Sequence, residues 1–96
     1  MTWTLTVRPE ASRDLGDAFD WYESRRAGLG LSFLADAATT FQRIEELPTS
    51  FPLYYREARR AMMRRFPYKV FFILDGESVI VIRVLHASQD HRRAIE

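Results

Sequence analysis

Cysteine is absent from this sequence of 96 residues, which also contains only two histidines and a single lysine. The absence of cysteine excludes disulfide frameworks, thiol nucleophiles and cysteine metal sites. A zinc site would have to combine His86 and His91 with carboxylates, and we predict no bound metal. We also expect no cofactor.

Long apolar runs are missing as well. No segment approaches the roughly 20 residues that a membrane-spanning helix needs. The first residues, Met1–Leu5, lack both the basic region and the long apolar stretch of a secretory signal peptide. We therefore expect a cytoplasmic protein that has no membrane partner.

The composition is nevertheless that of a folded chain. Hydrophobic residues make up 47% and aromatic residues 14% of the sequence, which is enough for a packed core. A chain of about 100 residues buries only about 60–65% of the surface that its unfolded form exposes. We therefore expect one domain, residues 1–96, with one core.

Charge is divided unevenly between the two halves of the chain. Residues 1–50 carry five arginines and eight acids, a net charge of −3. Residues 51–96 carry eight arginines, Lys69 and five acids, a net charge of +4. Arginine makes planar, bidentate contacts with carboxylates and phosphates. The basic half is compatible with an anionic partner, and also with a solvated surface that balances an acidic helix.

The first half shows two periodicities. Trp3, Leu5 and Val7 alternate with polar residues, which predicts a strand with one buried face. An amphipathic helix should then run from Pro9 to about Arg26, since proline suits a first helical turn. Its apolar residues recur at spacings of three and four: Ala11, Leu15, Ala18, Phe19 and Tyr22.

A glycine-containing break, Ala27–Gly30, should separate this helix from a second one. The apolar stripe of the second helix consists of Leu34, Ala37, Ala38, Phe41, Ile44 and Leu47. Pro48 cannot continue that helix. Two helices with a short break should pack as an antiparallel hairpin over residues 9–47. Glutamates near the end of the second helix are disfavoured by its dipole, and we expect downstream arginines to compensate.

The second half consists mainly of predicted strands. Residues 48–55, with two prolines, should form an ordered loop. Strands are predicted at Arg59–Phe66, Tyr68–Leu74 and Ser78–Leu85. The last two are joined by Asp75-Gly76, a strong hairpin signal. The final strand is apolar on both faces, so it should lie inside the sheet.

The order of elements is strand, helix, helix and three strands. This order predicts an α+β fold, βααβββ, with a helical hairpin packed on a mainly antiparallel twisted sheet. The helices should cover one face of the sheet and leave the other partly open. Met62 and Met63 are strand neighbours, so one should enter the core and the other the open face. The polar tail, Asp90–Glu96, is predicted to be a short turn or a frayed end.

Four short segments stand in a recognisable order along nearly the whole chain. They are Pro9-Glu10-Ala11 with Asp14-Leu15; Phe41, Ile44, Leu47-Pro48 and Phe51-Pro52; Arg65-Phe66-Pro67-Tyr68-Lys69-Val70; and Arg83-Val84-Leu85-His86. Each segment alone is short, but in this order and spacing they are fairly specific. Together they resemble the ParE-type toxins of the RelE/ParE superfamily, often described as plasmid stabilisation proteins.

The resemblance implies the toxin component of a type II toxin–antitoxin system, which causes growth arrest. It implies a ParD-like antitoxin whose flexible segment wraps the toxin, so that the two form a hetero-oligomer. Operator DNA is expected to be contacted only through the antitoxin. ParE toxins act on DNA gyrase, whereas RelE toxins cut messenger RNA in the ribosome, and the resemblance alone leaves the target open.

The sequence departs from the family pattern after His86. Many relatives continue as His-x-x-Arg, whereas Gln89 occupies the arginine position here and Arg92 and Arg93 follow later. This departure keeps open a further alternative, a relative that has lost toxicity and only binds a partner.

Cutting RNA would require a base, a cationic clamp and an acid near one phosphate. The candidate catalytic residues for that reaction are Arg59, Arg65, Arg83 and His86. Histidine is a common acid–base catalyst, but a histidine at a strand end more often only hydrogen-bonds a backbone group, and that alternative stays open for His86. The several lysines and the late tyrosine of the RelE pattern are absent, so we favour a toxin that binds a protein, DNA gyrase.

An arginine-rich segment supplies the predicted partner site. Along a strand, Arg60 and Arg64 would share one face, and Arg59 and Arg65 the other. One pair should face the helices and meet the glutamates there, while the other is exposed and suits an acidic antitoxin segment. The predicted partner-binding residues are Arg56, Arg59, Arg60, Arg64, Arg65, Arg83, Arg92 and Arg93.

Overall fold

The computed structural model describes residues 3–95. Met1, Thr2 and Glu96, which belong to the predicted N-terminal segment and tail, lie outside the described residues. The elements in chain order are β1 (Thr4–Val7), α1 (Pro9–Arg25), α2 (Leu29–Glu46), a short 3₁₀ helix (Pro48–Ser50), β2 (Leu53–Tyr55), β3 (Ala58–Met62), β4 (Tyr68–Asp75), β5 (Ser78–His86) and α3 (His91–Ile95).

The strands form one five-stranded sheet in the order β1-β5-β4-β3-β2. Strand β1 runs parallel to β5, and the other neighbours are antiparallel. The helical hairpin packs on one face, which confirms the predicted α+β fold. As predicted from its apolar residues, β5 lies inside the sheet, between β1 and β4. Its hairpin with β4 turns at Asp75-Gly76, where Gly76 has a φ of 61°.

The two long helices are joined very closely. The carboxylate of Glu23 accepts the backbone N–H groups of Gly28 at 2.9 Å and Gly30 at 3.0 Å, which satisfies free donors at the start of α2. A Cβ added at Gly30 would lie 2.7 Å from Cδ2 of Phe19, so this position has room only for glycine unless the ring moves.

Within residues 3–95, neither helix has the length and apolar content that crossing a membrane requires.

The sheet separates two apolar clusters. The larger one lies between the sheet and the helices, and its fully buried side chains include Phe33, Ile44, Val70, Phe72, Val79 and Val81. The smaller cluster lies on the other face, called here the open face, and contains Ala58, Phe71, Ile82 and Leu85. Met63 is 5% exposed in the larger cluster and Met62 is 60% exposed, which confirms the predicted division of the two methionines.

Residues 53–55 differ from the prediction of a loop. They form β2, a short edge strand that pairs with β3 across a tight turn. Arg56 occupies that turn with a φ of 54°, a backbone conformation that non-glycine residues adopt infrequently. The two prolines before this segment indicated a loop. Proline is nevertheless tolerated just outside an edge strand, so they did not exclude a strand here.

Strand β3 ends at Met62, so the prediction that it continues to Phe66 is wrong. The reason is Asp36 of α2, a buried residue whose Oδ2 atom accepts the N–H groups of Arg65 and Phe66, both at 2.9 Å. These bonds hold the chain in a turn before β4. Arg64 therefore lies in a turn and not on a strand face, and the same correction applies to Arg65.

The chain after β5 is more regular than predicted. Residues 91–95 form the short helix α3, which packs over the open face through Ala94 and Ile95. His91, at its start, is 6% exposed, and its Nε2–H donates to the carbonyl of His86 at 2.9 Å. This contact fixes the direction of the tail relative to the end of β5.

Candidate partner-binding surface

The partly buried side chain of Arg83 is held by two helices, α1 and α3. Its Nε and Nη2 atoms donate to the carboxylate of Asp14 in α1 at 2.7 and 2.9 Å, and Nη1 donates to the carbonyl of Ala94 in α3 at 3.2 Å. The Asp14 hydrogen bond raises the pKa of the guanidinium above its ordinary value, while partial burial opposes the shift. Arg83 therefore joins α1, β5 and α3 as a permanently charged group.

Asp14 also accepts a backbone hydrogen bond from the edge of β5. Strand β1 pairs with β5 only as far as Val81, and beyond that point the edge of β5 is open. The Oδ2 atom of Asp14 accepts the N–H of Val84 at 2.9 Å, so the carboxylate replaces the missing strand. A buried backbone donor would otherwise lack a partner.

The side chain of Arg59 also has hydrogen-bond partners within the chain. It faces the helix-covered side of β3, where its Nη1 donates to the carbonyls of Phe51 at 2.7 Å and Thr49 at 3.4 Å. The prediction that an arginine from this face meets the glutamates at the end of α2 is wrong. The partners are carbonyls of the 3₁₀ segment, which Arg59 ties to the sheet.

His86 lies at the end of β5 in a local hydrogen-bond network. Its Nδ1 accepts the backbone N–H of Ser88 at 3.1 Å and lies 2.8 Å from the Ser88 hydroxyl. The neutral ring therefore carries its proton on Nε2. The side-chain oxygen of Gln89 accepts the N–H of His86 at 2.8 Å, so Gln89 caps the end of the strand.

The four candidate catalytic residues are thus held by different parts of the fold. Arg59 contacts the 3₁₀ segment, Arg65 lies exposed in the turn fixed by Asp36, Arg83 joins α1 to α3, and His86 belongs to the turn after β5. Within residues 3–95, none of the hydrogen bonds or ion pairs described joins two of these four side chains. No group of three or more histidine and acidic side chains in that range could hold a metal ion.

Three other arginines gather around two tyrosines on the open face. Arg60 stacks over the ring of Tyr54 at 4.6 Å, and Arg56 and Arg92 lie over Tyr55 at 5.1 and 5.7 Å. We call these five residues the arginine–tyrosine cluster. Within residues 3–95, none of these three guanidiniums forms an ion pair, and the ion pair in that range joins Arg83 to Asp14. Stacking orders a guanidinium while leaving its N–H edge available to an anion.

A groove lies beside this cluster. It has a volume of about 370 Å³ and runs between the end of β1, the β2–β3 turn and α3. Its apolar side chains are Ile73, Ile82, Ile95 and Ala58, and its polar rim is formed by Arg8, Tyr55, Arg56 and Glu57. We call this feature the open-face groove.

Two tyrosines on the other side of the sheet behave differently. Tyr22 of α1 and Tyr68 of β4 pack in the larger cluster with ring centroids 6.1 Å apart. Burial raises the pKa of Tyr22, and burial together with the neighbouring Tyr22 raises the pKa of Tyr68. Both hydroxyls therefore favour the neutral form in the folded protein.

Asp14 and Asp36 were missed as site residues by sequence reasoning. Each lies within the apolar stripe of its helix, Asp14 three residues after Ala11 and Asp36 three residues after Phe33. A lone acid in a buried stripe usually has a specific partner, because an unpaired buried charge is costly. That position was an available signal, although it cannot identify the partner.

The fold and this surface define a class of small α+β protein with one helix-covered sheet face and one cationic, partly apolar face. Among solved structures, a chain of the chromosomal ParDE toxin–antitoxin system from P. aeruginosa is similar, with a TM-score of 0.82 and 16% identity, over 91% of this chain and 98% of that one. A chain of the RelBE2 toxin–antitoxin complex from Mycobacterium tuberculosis has a TM-score of 0.64 and 20% identity, over 90% and 99%.

A comparison with curated protein sequences finds no significant match. The family model described as the ParE toxin of the type II toxin–antitoxin system parDE matches residues 5–91. The chain therefore belongs to the ParE toxin family of type II toxin–antitoxin systems, within the RelE/ParE superfamily.

Proposed function

We propose that this toxin acts in the cytoplasm by inhibiting DNA gyrase, and that a ParD-like antitoxin neutralises it by binding the open face. The observation that carries the proposal is the division of the arginines. Two of the candidate catalytic residues, Arg59 and Arg83, are occupied by internal partners. The arginines of the arginine–tyrosine cluster have donors to spare for another protein.

The partner-binding set is accordingly divided by role. Arg56, Arg60 and Arg92 would contact the antitoxin directly, and Arg64, Arg65 and Arg93 would extend the positive field around them. Arg59 and Arg83 would act as positioning residues that hold the 3₁₀ segment and α3 in place. Operator DNA would be reached only through the antitoxin, in a hetero-oligomer of the two proteins.

A supercoiling assay tests the target. Purified toxin at micromolar concentration should inhibit DNA gyrase, and adding the antitoxin should restore supercoiling. Growth arrest in cells with unimpaired gyrase would contradict the gyrase assignment, and new 5′ ends in translated messages would replace it with RNA cleavage. Unchanged growth on expression without antitoxin would instead indicate a relative that only binds its partner.

The surface has its own test. A triple variant Arg56→Asn, Arg60→Ala and Arg92→Ala should lose antitoxin-dependent rescue, because three cationic contacts disappear together. Asparagine is chosen at position 56 because it tolerates the positive φ of that turn. The charge-matched control is Arg13→Ala, Arg25→Ala and Arg26→Ala, which removes three exposed arginines from the helical hairpin. Equal rescue of both triple variants would contradict the proposed surface.

A further inference from the structure

The open-face groove combines an apolar floor with a charged rim. Ile73 of β4, Ile82 of β5 and Ile95 of α3 form the floor, so three different elements have to be in place to make it. Ile82 lies at the irregularity where Phe71 pairs with Arg83 and Phe72 pairs with Val81, so β5 has one extra residue there. A bulge of this kind bends a strand and redirects a side chain, here toward the floor of the groove.

The rim is predominantly cationic. Arg8 follows β1 on one side, and Arg56 lies in the β2–β3 turn on the other, with Glu57 as the acidic rim residue. The backbone N–H of Arg8 donates to the carbonyl of Val81 at 2.9 Å. This bond fixes the backbone of Arg8 and leaves its side chain for a ligand. Two arginines on the rim of an apolar floor match a ligand that has an apolar centre flanked by acids.

A second cavity continues the groove past Ile95. It has a volume of about 200 Å³ and shares Arg8, Ile82 and Ile95 with the open-face groove. Its other side chains include Glu10 and Arg83, so its walls are more polar. A chain lying across Arg8 would therefore place an apolar group in the first cavity and a polar group in the second.

We propose that the open-face groove is the seat of one large apolar anchor residue in an acidic segment of the antitoxin, with neighbouring carboxylates bound by Arg8 and Arg56. This inference rests on the proposed function and specifies its partner. The groove's volume lies at the small end of the range for ligand pockets, about 300–1,000 Å³, and suits one or two side chains. Buried anchors of this kind dominate the binding energy of protein interfaces.

A polynucleotide fits the groove less well. Its phosphates would find Arg8 and Arg56, but the isoleucine floor offers a phosphodiester chain nothing. Single-stranded nucleic acids usually also stack bases on aromatic rings. The nearest ring, Tyr55, already has Arg56 and Arg92 over it.

The test measures binding of the cognate antitoxin, the product of the reading frame adjoining the toxin gene, by isothermal titration calorimetry. Ile73→Phe should fill the floor and weaken binding about 10- to 100-fold, which corresponds to loss of a buried apolar side chain. Leu31→Phe is the control, because Leu31 is an exposed apolar residue of α2, on the helix-covered side of the sheet. It should change the affinity by less than about threefold.

The rim is tested separately, so that the proposal does not depend on one variant folding. Arg8→Glu should weaken binding at least about tenfold, with a loss that shrinks as salt is added, because an attractive contact becomes repulsive. Arg13→Glu, an equal change of charge on the exposed side of α1, is its control. Equal effects of the two substitutions would overturn the rim assignment.

The outcomes separate this inference from the proposed function. If the wild-type toxin does not bind the adjoining antitoxin, the proposed function itself fails. If the wild type binds and Ile73→Phe and Arg8→Glu bind equally well, only the groove assignment fails. Two further probes must be negative at micromolar toxin: a fluorescein-labelled 20-mer of deoxythymidine, and self-association in analytical ultracentrifugation. Binding of either probe that Ile73→Phe abolishes would give the groove to that occupant instead.

Discussion

The helix-covered face and the open face of the sheet use charged side chains in different ways. On the helix-covered face, Asp14 and Asp36 are largely buried. The Asp14 carboxylate and the Oδ2 atom of Asp36 accept hydrogen bonds of 2.7–2.9 Å from within the chain. On the open face, the charged groups of the arginine–tyrosine cluster rest on aromatic rings. The first arrangement stabilises the fold, and the second leaves charge available for a partner.

Because of this difference, substitutions on the two faces should lower the free energy of unfolding by different amounts. Removing a buried acceptor leaves donors without a partner, which costs about 1–3 kcal/mol for each group. Removing a stacked surface guanidinium costs about 0.5–1 kcal/mol of stability. Stability and partner binding should therefore respond to different residues, and four substitutions test that separation.

The largest effect is expected for Asp36→Ala. The N–H groups of Arg65 and Phe66 both lose their acceptor, so the free energy of unfolding should fall by about 2–4 kcal/mol in a urea titration. Asp36→Asn is the matched control, since its side-chain oxygen still accepts hydrogen bonds. The fall in the free energy of unfolding should be about half that of the alanine variant. A change below about 1 kcal/mol for the alanine variant would show that the turn does not depend on Asp36.

Asp14→Ala should come next, at about 2–3 kcal/mol. It unpairs Arg83 and the N–H of Val84, although the ion pair is partly exposed, with side-chain accessibilities of 26% for Arg83 and 14% for Asp14. Hydrogen exchange should show α3 opening more often, because Arg83 also holds Ala94. Unchanged protection of residues 91–95 would contradict the role of Arg83 as the link between α1 and α3.

A smaller effect concerns alkaline pH. Because the pKa values of Tyr22 and Tyr68 are raised on folding, the folded state retains phenolic protons that the unfolded chain releases. This contribution is complete below the unfolded value of about 10 and is lost as the pH rises through the folded values. Tyr68→Phe should flatten the decline of the free energy of unfolding above about pH 10. An unaltered slope in parallel urea titrations would exclude Tyr68 as a source.

The smallest effect on stability is expected for Arg60→Ala. Its guanidinium stacks on Tyr54 at the surface, so the free energy of unfolding should change by less than about 1 kcal/mol. Antitoxin affinity should nevertheless fall severalfold in calorimetry. Loss of stability comparable with that of Asp14→Ala would show that the two faces do not differ in the way described.

The local signals in the sequence predicted the framework well. The spacing of Ala11 to Tyr22 predicted α1 to within a residue of its end at Arg25, and Asp75-Gly76 predicted the β4–β5 hairpin. The end of β3 was not predictable in this way, because Asp36 lies 29 residues before Arg65 in the chain. A local pattern does not contain a contact made by the packing of distant elements.

The candidate site was predictable in composition but not in arrangement. The excess of arginine after residue 50 indicated a basic surface. Arg83 and Arg60 nevertheless look alike in the sequence, since both stand in β-rich segments. The structure distinguishes them through Asp14, 69 residues away from Arg83, and through Tyr54, which belongs to a strand that the sequence did not reveal.

Gln89 limits how position 89 could accept the arginine of the His-x-x-Arg pattern that the family resemblance implies. An arginine side chain has only donors, so Gln89→Arg would leave the N–H of His86 without its present acceptor. The carbonyl of His86 also accepts the hydrogen bond that anchors His91. A disturbed turn would therefore release α3 as well. An arginine at position 89 should therefore require compensating changes nearby, and the single substitution Gln89→Arg should destabilise the end of β5 and α3.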